Sequence, residues 1–296
     1  MKVGRRTIEL SKTDKVLFPD DGVTKGDLVE YYEAIGPWMI PYLKHRPLSL
    51  ERYPDGIDAQ QLFNQNAPQY FPDWLETADV DRVNGSGHVR HAVVRDTASL
   101  VYLANQACIT PHAWLSRADR VHNPDQLIFD LDPPDGFEAA RRAAIDLRTL
   151  LDELGLPTLV KTTGGKGLHV HVPLDRTADF DTARAFAREV AGVLTHRYPK
   201  RYTTEQRKNA RRGRLYLDIM RNAYGQTAVP PYAVRARPGA PVATPLDWAE
   251  LDDVHPGEHT LRTVLDRLDG SGDPWPRLRG RSLTKPRQRL HSMNER

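Results

Sequence analysis

The sequence predicts an α+β fold whose centre is a split βαβ sheet of the kind found in RNA-recognition folds. The main observation is the order of elements between Leu127 and Met220, where strand and helix patterns follow one another as β-α-β-β-α-β. A second observation is a series of short β-like stretches separated by turns from Leu48 to Leu103, which predicts a smaller β-rich subregion. No internal repeat or long low-complexity segment competes with this interpretation.

The N-terminal part begins with a predicted helix in TKGDLVEYYEAIGPWM. Thr24 is a suitable N-cap, apolar and aromatic side chains follow at helical spacing, and Gly36 with Pro37 is expected to stop the helix. Pro-rich loops come next, and the stretches LSLERY, HAVVRD and SLVYLA are each predicted to form a short strand.

The predicted sheet begins with the strand LIFDLDPP and continues through five more elements. FEAARRAAIDLRTLLDELG is a helix that ends at Gly155, and TLVKTTGGKGLHVHVPL forms two strands joined by a glycine turn. FDTARAFAREVAGVLTHRY is a second helix, and RLYLDIM is a further strand. The predicted apolar face of the first of these helices consists of Ala140, Ala144, Leu147, Leu151 and Leu154.

The composition is that of a water-soluble globular protein with one large domain or two modest ones. The chain has 296 residues, of which 39% are hydrophobic and 27% charged. No apolar run approaches the ~20 residues needed to span a bilayer, and the basic N-terminus lacks the apolar stretch of a signal peptide. These features predict a cytoplasmic protein without a membrane partner. The single cysteine, Cys108, excludes an internal disulfide and any zinc site built from several thiolates.

Positive charge is concentrated in two segments, although the formal net charge is only +3. The segment from Lys200 to Arg221 holds eight Lys or Arg residues against two acids, and the segment from Trp275 to Arg296 holds seven against one. Basic segments of this kind are typical of nucleic-acid-binding proteins, and each one alone is equally compatible with a solvated basic surface.

Three acidic side chains interrupt the apolar strands of the predicted sheet. Asp130 and Asp132 share one face of their strand, and Asp218 lies in another strand of the same sheet. Carboxylates in such positions are costly to bury unless cations lie among them. A pair of Mg²⁺ or Mn²⁺ ions ~3.5 to 4 Å apart, as in phosphoryl-transfer sites, would suit them. The alternative is that Asp130 and Asp132 begin the Pro-Pro turn and that Asp218 pairs with Arg221.

The glycine turn TTGGKGLHVH offers groups that a triphosphate needs. Backbone amides can approach closely at Gly164, Gly165 and Gly167, Thr163 carries a hydroxyl, and Lys166 carries a positive charge. The turn is not a P-loop, because the G-x-x-x-x-G-K-[ST] pattern is absent and a strand follows instead of a helix. A plain β-hairpin is the alternative interpretation.

Five other side chains are candidates for ligand contact. His169 and His171 share one strand face and could be a transition-metal pair, ordinary buried histidines, or contacts to a substrate phosphate or hydroxyl. Lys25 at the start of the capped helix, with Lys15 upstream, could form an anion pocket or be solvated. Phe63 could stack on a base or belong to a satellite core.

Long stretches of the sequence resemble the polymerase domain of bacterial DNA ligase D, within the archaeo-eukaryotic primase superfamily. The stretches that carry the resemblance are PHAWLSRADRVHNPDQLIFDLDPP, VKTTGGKGLHVHVPL and LDIMRNAYGQTAVPPYAVRARPGAPVATPLDW, and weaker similarity in DKVLFPDDGVTKGDLVEYYEAI extends the match over nearly the whole chain. The resemblance implies a single primase-polymerase domain over residues 1–296. Its parts would be a DNA-binding, β-rich subregion (1–110), a catalytic core (111–250) and a C-terminal helix with a basic tail (251–296).

The resemblance implies a DNA-templated nucleotidyltransferase that adds nucleotides, preferentially ribonucleotides, to primer 3′ ends. Its setting would be gap filling and end-joining repair of double-strand breaks, in the cytoplasm at the nucleoid. The implied cofactors are two Mn²⁺ or Mg²⁺ ions, and the implied substrates are NTPs or dNTPs. The implied partners are gapped or broken DNA with a 5′-phosphate, Ku, and a separate DNA ligase.

The resemblance also implies a role for individual residues by position. Asp130, Asp132 and Asp218 would be catalytic and hold the metals, and Asp218 would also help to activate the primer 3′-hydroxyl. Lys15 and Lys25 would receive the 5′-phosphate on the far side of a gap. The implied template-stacking residue is Phe63, and the implied nucleotide-binding residues are His112, near the sugar, and Thr163, Gly165, Lys166, His169, Arg221 and Arg235.

The chain departs from the family pattern at a few positions. Thr163 stands where serine is common, and Gln65 and Asn66 replace the basic residue often found after the aromatic. The K-x-D-G motif of covalent ligase chemistry is absent, so we expect either a stand-alone polymerase or an excised domain. The competing functions are a non-enzymatic nucleic-acid-binding module of the RNA-recognition type and a metal-dependent nuclease, which would not need the glycine turn.

Overall fold

The structure is a computed structural model that describes residues 1–134 and 136–294, which form two compact units interleaved along the chain. Unit 1 consists of Met1–Asp119, Thr227–Thr244 and Gly257–Asp273, and unit 2 consists of the described residues of Arg120–Gln226, Pro245–Pro256 and Pro274–Arg296. The division into 1–110, 111–250 and 251–296 stays a prediction, and the last two residues of its basic tail lie outside the described residues. No helix within the described ranges is both long and apolar enough to cross a membrane.

Most strands are short, and the longer ones lie in two six-stranded sheets. The strands are β1 (Lys2–Val3), β2 (Arg6–Thr7), β3 (Val16–Phe18), β4 (Val23–Thr24), β5 (Pro47–Arg52), β6 (Leu62–Asn64), β7 (Thr77–Asp81), β8 (His88–Val93), β9 (Cys108–Trp114), β10 (Gln126–Asp132), β11 (Leu159–Thr162), β12 (Leu168–Pro173), β13 (Tyr202–Thr203), β14 (Leu215–Asp218), β15 (Thr227–Ala228) and β16 (Pro245–Leu246). The helices are α1 (Lys25–Leu43), α2 (Thr97–Asn105), α3 (Phe137–Glu153), α4 (Phe180–Arg197), α5 (Val264–Ser271) and α6 (Thr284–Asn294).

The sheet of unit 2 has the strand order β13-β14-β10-β12-β11-β16. Its four central strands pair antiparallel, and when β10, β11, β12 and β14 are counted as first to fourth, their spatial order is 4-1-3-2. With α3 and α4 as the two connecting helices, this is the split βαβ arrangement. The predicted sheet and its β-α-β-β-α-β order are confirmed.

Helices α3 and α4 share one apolar core with this sheet. The side chains predicted to form the apolar face of α3, including Leu154 just after its last residue, are all 0% exposed. The helix ends as expected, because Gly155 has φ +77°, a left-handed conformation that favours glycine, and its N–H donates to Asp152 O at 2.9 Å.

The sheet of unit 1 has the order β15-β9-β5-β8-β7, with β6 also paired to β5. LSLERY forms β5 and HAVVRD contributes the end of β8, as predicted, but the prediction of a strand for SLVYLA is wrong. This stretch lies in α2, whose N-cap Asp96 accepts a hydrogen bond from Ser99 N at 2.9 Å. Leu100 and Leu103, β-compatible in sequence, are buried by packing as a helix, and tertiary contacts override a weak local preference.

Helix α1 begins at the predicted residue. The Thr24 hydroxyl accepts a hydrogen bond from Asp27 N at 3.1 Å, and the Asp27 carboxylate accepts one from Thr24 N at 2.7 Å. This reciprocal capping box satisfies two N–H groups that the helix itself leaves without partners.

The predicted end of α1 at Gly36 and Pro37 is wrong, because the helix continues through both residues, and through Pro41, to Leu43. Proline in a helix costs about 3 kcal/mol, since it removes one hydrogen bond and crowds the preceding turn. Burial of large apolar side chains on the same stretch offsets this cost. The fully buried side chains are Ile35, Met39 and Leu43.

Gly36 lies where α1 contacts α2, and we predict that Gly36→Ala destabilises the protein. A Cβ at this position would lie 2.6 Å from Thr97 Oγ1 and 2.7 Å from Thr97 Cγ2. Alanine favours a helix over glycine by about 1 kcal/mol, but overpacking typically costs about 1 to 3 kcal/mol. Chemical denaturation followed by circular dichroism should show the loss.

Gly192 in α4 is the matched control, because it is an exposed helical glycine with no atom within 4 Å of an added Cβ. Gly192→Ala should be neutral or stabilise by up to about 1 kcal/mol. Adding Thr97→Ala to Gly36→Ala should recover part of the lost stability. A single Gly36→Ala variant as stable as the unsubstituted protein would contradict the explanation.

Candidate active site

Four polar side chains form one row across the sheet of unit 2. Asp218 of β14 is directly opposite Asp130 of β10. Asp130 is in turn opposite His169 of β12, which is opposite Lys161 of β11. Residues directly opposite each other on antiparallel strands project from the same face. Asp130, His169 and Lys161 are 8%, 4% and 0% exposed, so the row brings charged groups into a largely buried environment.

The neighbouring row of the same strands is apolar. Leu131 of β10 is opposite Leu217 of β14 and Leu168 of β12, and all three side chains are buried. Because successive side chains point to opposite faces, packing these leucines against α3 and α4 directs the acids to the other face. The predicted assignment of the two strand faces is confirmed.

Asp130 is ionised in the middle of the polar row. Its Oδ1 lies 3.4 Å from His169 Nε2, and its Oδ2 lies 3.5 Å from Arg221 Nε. Burial alone would raise the pKa of the Asp130 carboxyl, but His169, Arg221 and Lys161 outweigh burial and lower the pKa to about 2. The site therefore keeps a buried carboxylate charged at neutral pH.

His169 is neutral at neutral pH, because burial and the nearby charge of Lys161 lower its pKa to about 4. With Nε2 facing the Asp130 carboxylate, we infer that the ring carries its proton on Nε2. The other ring nitrogen, Nδ1, is buried and has no hydrogen-bond partner in the part of the chain that the structure describes. His169 thus presents an unsatisfied acceptor beside the carboxylates.

The other two predicted acids have different surroundings. Asp218 Oδ1 accepts a hydrogen bond from Met220 N at 2.7 Å and lies 3.4 Å from the Tyr216 hydroxyl. Burial and the charge of Asp218 raise the pKa of Tyr216 to about 12, so the phenol stays protonated and donates. Asp132 is exposed at the end of β10, opposite Tyr216 in the register.

The three carboxylates suit a divalent cation in donor type and in strand position. Hard cations such as Mg²⁺ and Mn²⁺ prefer carboxylate oxygens, and Asp130 and Asp218 face each other across two paired strands. Among the described residues, no group of three or more His, Cys, Asp or Glu side chains is gathered so that it could hold a metal ion. Cation binding would therefore require these side chains to rearrange.

The glycine turn between β11 and β12 lies against the end of β10. The Thr163 hydroxyl donates to Gly167 O at 3.2 Å and accepts from Gly167 N at 3.3 Å, which closes the turn. A Cβ on Gly167 would lie 2.6 Å from Leu131 O and 3.1 Å from Asp132 Oδ1, so this approach requires glycine. Three residues predicted to contact the nucleotide lie in this turn, near the end of β10. They are Thr163, which is buried, Gly165, which is half-buried, and Lys166, which is exposed.

Asn222 fixes the turn that carries Arg221, and it is not among the site residues predicted from the sequence. Its Oδ1 accepts from Ile128 N at 2.8 Å, and its Nδ2 donates to Ile128 O at 2.7 Å and to Ile219 O at 3.0 Å. The side chain, 1% exposed, thereby continues the pairing of β10 beyond the end of β14. A polar residue in the turn that follows a buried strand, four residues after Asp218, was the available signal.

Arg221 faces Asp130 instead of Asp218, the partner in the alternative interpretation of these acids. Its side chain is 44% exposed, and the closest charged atoms are 3.5 Å apart. The Asp130 side chain of this pair is only 11% exposed, so the guanidinium can be reached from solvent but can leave the carboxylate only if another positive charge replaces it.

Unit 1 contains a second polar cluster, centred on the buried Glu51. His112 Nε2 lies 2.8 Å from Glu51 Oε2, and Gln61 and Tyr53 donate to Oε1 at 2.9 and 3.2 Å. Burial would raise the pKa of Glu51, but hydrogen bonds and charges, including those of His112 and Arg235, lower it. His112 and Arg235, the two residues of this unit that were predicted to contact the nucleotide, therefore both stabilise the ionised Glu51 carboxylate.

Sequence reasoning missed Glu51, although it interrupts an apolar strand in LSLERY much as Asp130 interrupts LIFDLDPP. Phe63, the predicted stacking residue, lies on β6 next to this cluster. Its ring centre is 5.7 Å from that of His112, edge to face, and the residue is 49% exposed. The exposed part of the ring is available to a base, and the stacking role stays a prediction.

The two lysines predicted to receive a 5′-phosphate are adjacent in unit 1. The Lys25 N–H donates to Lys15 O at 2.8 Å. Lys25 is 6% exposed and its Nζ donates to Ser11 Oγ at 3.2 Å, whereas Lys15 Nζ forms an ion pair with Asp55. Burial, followed by the charges of Lys12 and Lys15, lowers the pKa of Lys25. Several ammonium groups thus share one small region.

Comparison with known proteins assigns a family to this arrangement. A family model described as "LigD, primase-polymerase domain" matches residues 24–275. The "Bifunctional non-homologous end joining protein LigD" of Bacillus subtilis is 32% identical over 272 residues, which cover 90% of this chain and 43% of that protein. The "Multifunctional non-homologous end joining DNA repair protein LigD" of Mycobacterium tuberculosis strain H37Rv is 33% identical over 281 residues, covering 92% of this chain and 37% of that protein.

A solved structure is also similar. The "Polymerase Domain from Mycobacterium tuberculosis Ligase D in complex with DNA" has a TM-score of 0.84 and 31% sequence identity, covering 90% of this chain and 96% of that one. The chain spans about two fifths of the length of these two curated relatives, and nearly all of the solved polymerase domain.

Asn222 gives a direct test of how the site is held. Asn222→Ala should lower the free energy of unfolding by about 2 to 4 kcal/mol, because the buried N–H and C=O of Ile128 both lose a partner. Asn123→Ala is the control and should cost about 1 kcal/mol, since among the described residues the Asn123 side chain makes a single hydrogen bond, to Ala178 O at 3.1 Å. Thermal unfolding of both variants measures the difference, and equal losses would argue against this role.

Proposed function

The chain belongs to the family of LigD primase-polymerase domains, and we propose that it extends DNA primers with nucleotides taken from nucleoside triphosphates. Domains of this family are nucleotidyltransferases. The observation that carries the proposal is the row of Asp218 and Asp130 beside the Thr163–Gly167 turn. One sheet thus provides carboxylates that suit divalent cations. The same sheet provides amides, a hydroxyl and an ammonium group that suit a triphosphate.

We propose that Asp130, Asp132 and Asp218 hold two Mn²⁺ or Mg²⁺ ions. Such ions would neutralise charge on the α-phosphate and make the primer 3′-hydroxyl more acidic. Asp218 would also help to activate that hydroxyl, which attacks the α-phosphate and releases pyrophosphate. Lys166 and Arg221 would neutralise the triphosphate, so that catalysis would rest mainly on positioning and charge compensation.

The remaining predicted contacts would complete nucleotide recognition. Thr163 and Gly165 would bind phosphate oxygens through a hydroxyl and an amide, and His169 would offer its unsatisfied nitrogen to the substrate. In unit 1, His112, whose ring is oriented by Glu51, would contact the nucleotide sugar, and the proposed polymerase would prefer ribonucleotides. Arg235 would bind the triphosphate.

We propose that the substrate is gapped or broken DNA during end-joining repair. The support is that the relatives are named as non-homologous end joining proteins and that the similar solved polymerase domain is in complex with DNA. A 5′-phosphate on the far side of the gap would bind at Lys15 and Lys25, and Phe63 would stack against the template. Ku and a DNA ligase activity are the proposed partners, and the proposed location is the nucleoid.

The acids provide the first test of this function. Asp132→Ala and Asp218→Ala should each reduce incorporation of nucleotides into 5′-phosphorylated short-gap DNA by at least about a hundredfold, because a ligand for the charge-neutralising cations is lost. Binding of the same DNA should be largely retained. The measurement is primer extension with each ribo- and deoxyribonucleotide, in Mn²⁺ or Mg²⁺.

Asp252→Ala, an exposed aspartate of unit 2, controls for loss of one negative charge and should extend the primer normally. If the folded, unsubstituted protein binds gapped DNA but never extends it, the result would favour the alternative of a non-enzymatic nucleic-acid-binding module. Shortening of a labelled strand without added nucleotide would favour the nuclease alternative.

The lysines provide a second test. Substituting Lys15 and Lys25 together by alanine should reduce the preference for 5′-phosphorylated over 5′-hydroxyl gaps by about tenfold, because the phosphate loses two charged donors. Lys44→Ala, an exposed lysine of unit 1, is the control. Equal activity of the unsubstituted protein on the two gaps would remove the basis for this site.

A further inference from the structure

The backbone of the turn that carries Asp55 is fixed by hydrogen bonds within reach of Lys15. Gly56 N donates to Tyr53 O at 3.1 Å, and the next N–H, of Ile57, donates to Leu17 O at 2.8 Å. Gly56 has φ +91°, and an added Cβ would lie 3.3 Å from Leu17 O, so the turn is fitted closely to β3. The turn therefore keeps Asp55 within reach of Lys15, with which its carboxylate pairs.

The ion pair lies in a region with an excess of ammonium groups. Lys12, Lys15 and Lys25 are close enough for the first two to lower the pKa of the third, against a smaller opposing effect of Asp14, and the Lys25 N–H donates to the Lys15 carbonyl. The hydrogen bond and charge of Lys15 lower the pKa of Asp55, so its carboxyl is ionised at neutral pH. Asp55 thus neutralises part of a cluster that would otherwise attract anions more strongly.

The pair is also easily exchanged. The Asp55 side chain is 74% exposed and that of Lys15 is 32% exposed, and ion pairs in such positions are weak. A phosphate monoester carries about −1.5 to −2 charges at neutral pH and three acceptor oxygens, against one charge on a carboxylate. A phosphate entering the lysine cluster would displace Asp55, whereas an uncharged 5′-hydroxyl would not.

We propose that Asp55 is a built-in competitor for the 5′-phosphate at Lys15 and thereby limits how strongly the protein prefers phosphorylated DNA ends. This inference rests on the proposed role of Lys15 and Lys25 as the 5′-phosphate site. It makes Asp55 a specificity-determining residue, and its substitution should strengthen phosphate recognition, opposite to the effect of losing either lysine.

The test is the ratio of Kd values for short-gap DNA with a 5′-hydroxyl and with a 5′-phosphate, measured by fluorescence anisotropy. Asp55→Asn keeps the size of the side chain and removes its charge, and the ratio should rise about fivefold at low salt and less at high salt. Asp58→Asn is the matched control: Asp58 is exposed on the same loop, and its side chain makes no ion pair or hydrogen bond among the described residues. Its ratio should equal that of the unsubstituted protein.

The outcomes separate this inference from the function on which it rests. If the unsubstituted protein prefers phosphorylated DNA and Asp55→Asn leaves that preference unchanged, the competitor role is overturned and the phosphate site stands. A lower ratio in Asp55→Asn would mean that Asp55 orients Lys15 for the phosphate, which also overturns it. No preference in the unsubstituted protein would overturn both the phosphate site and the competitor. The proposal is supported only if the ratio of Kd values rises in Asp55→Asn and stays unchanged in Asp58→Asn.

Discussion

The register of the unit 2 sheet determines where every charged group of the candidate active site lies. Because the four central strands pair with Asp218, Asp130, His169 and Lys161 directly opposite one another, these side chains fall on one row. A slip of β10 by one residue would turn Asp130 into the leucine core. The apolar rows on the other face pack under α3 and α4 and make such a slip costly. Burial of these apolar side chains therefore fixes the positions of the charged side chains on the opposite face.

The polar row is stable only as a set. A buried carboxylate or ammonium group alone would cost several kcal/mol, and removing one partner of a buried pair leaves the other uncompensated. Here Lys161, which donates to Thr162 O at 3.2 Å, and Arg221 balance Asp130, while His169 stays neutral between them. Apolar side chains in this row would give a more stable sheet, because no buried charge would need compensation. The presence of charged groups at such positions is typical of a ligand-binding site.

Patterns of alternation and period predicted the parts of the molecule that local sequence controls. The alternation in LIFDLDPP gave the face of Asp130, and the helical period gave the buried face of α3. The helix at SLVYLA and the continuation of α1 through Pro37 depend on burial against each other, which no local pattern contains. Asn222 and Glu51 escaped notice because their importance lies in backbone groups and side chains distant in sequence.

Two neighbouring residues have different roles in the candidate active site. Asn222 fixes the backbone, and Arg221 has a side chain that can change its partner. Asn222 makes three hydrogen bonds of 2.7 to 3.0 Å in a fully buried setting, so the backbone of the turn is fixed. Arg221, one residue earlier, meets Asp130 at 3.5 Å with nearly half of its side chain exposed. A substrate phosphate that enters beside the glycine turn would therefore draw the guanidinium from Asp130 without moving the chain. Under the proposed function, a cation would take the place of the guanidinium beside Asp130 when the triphosphate arrives, so the buried carboxylate would stay compensated.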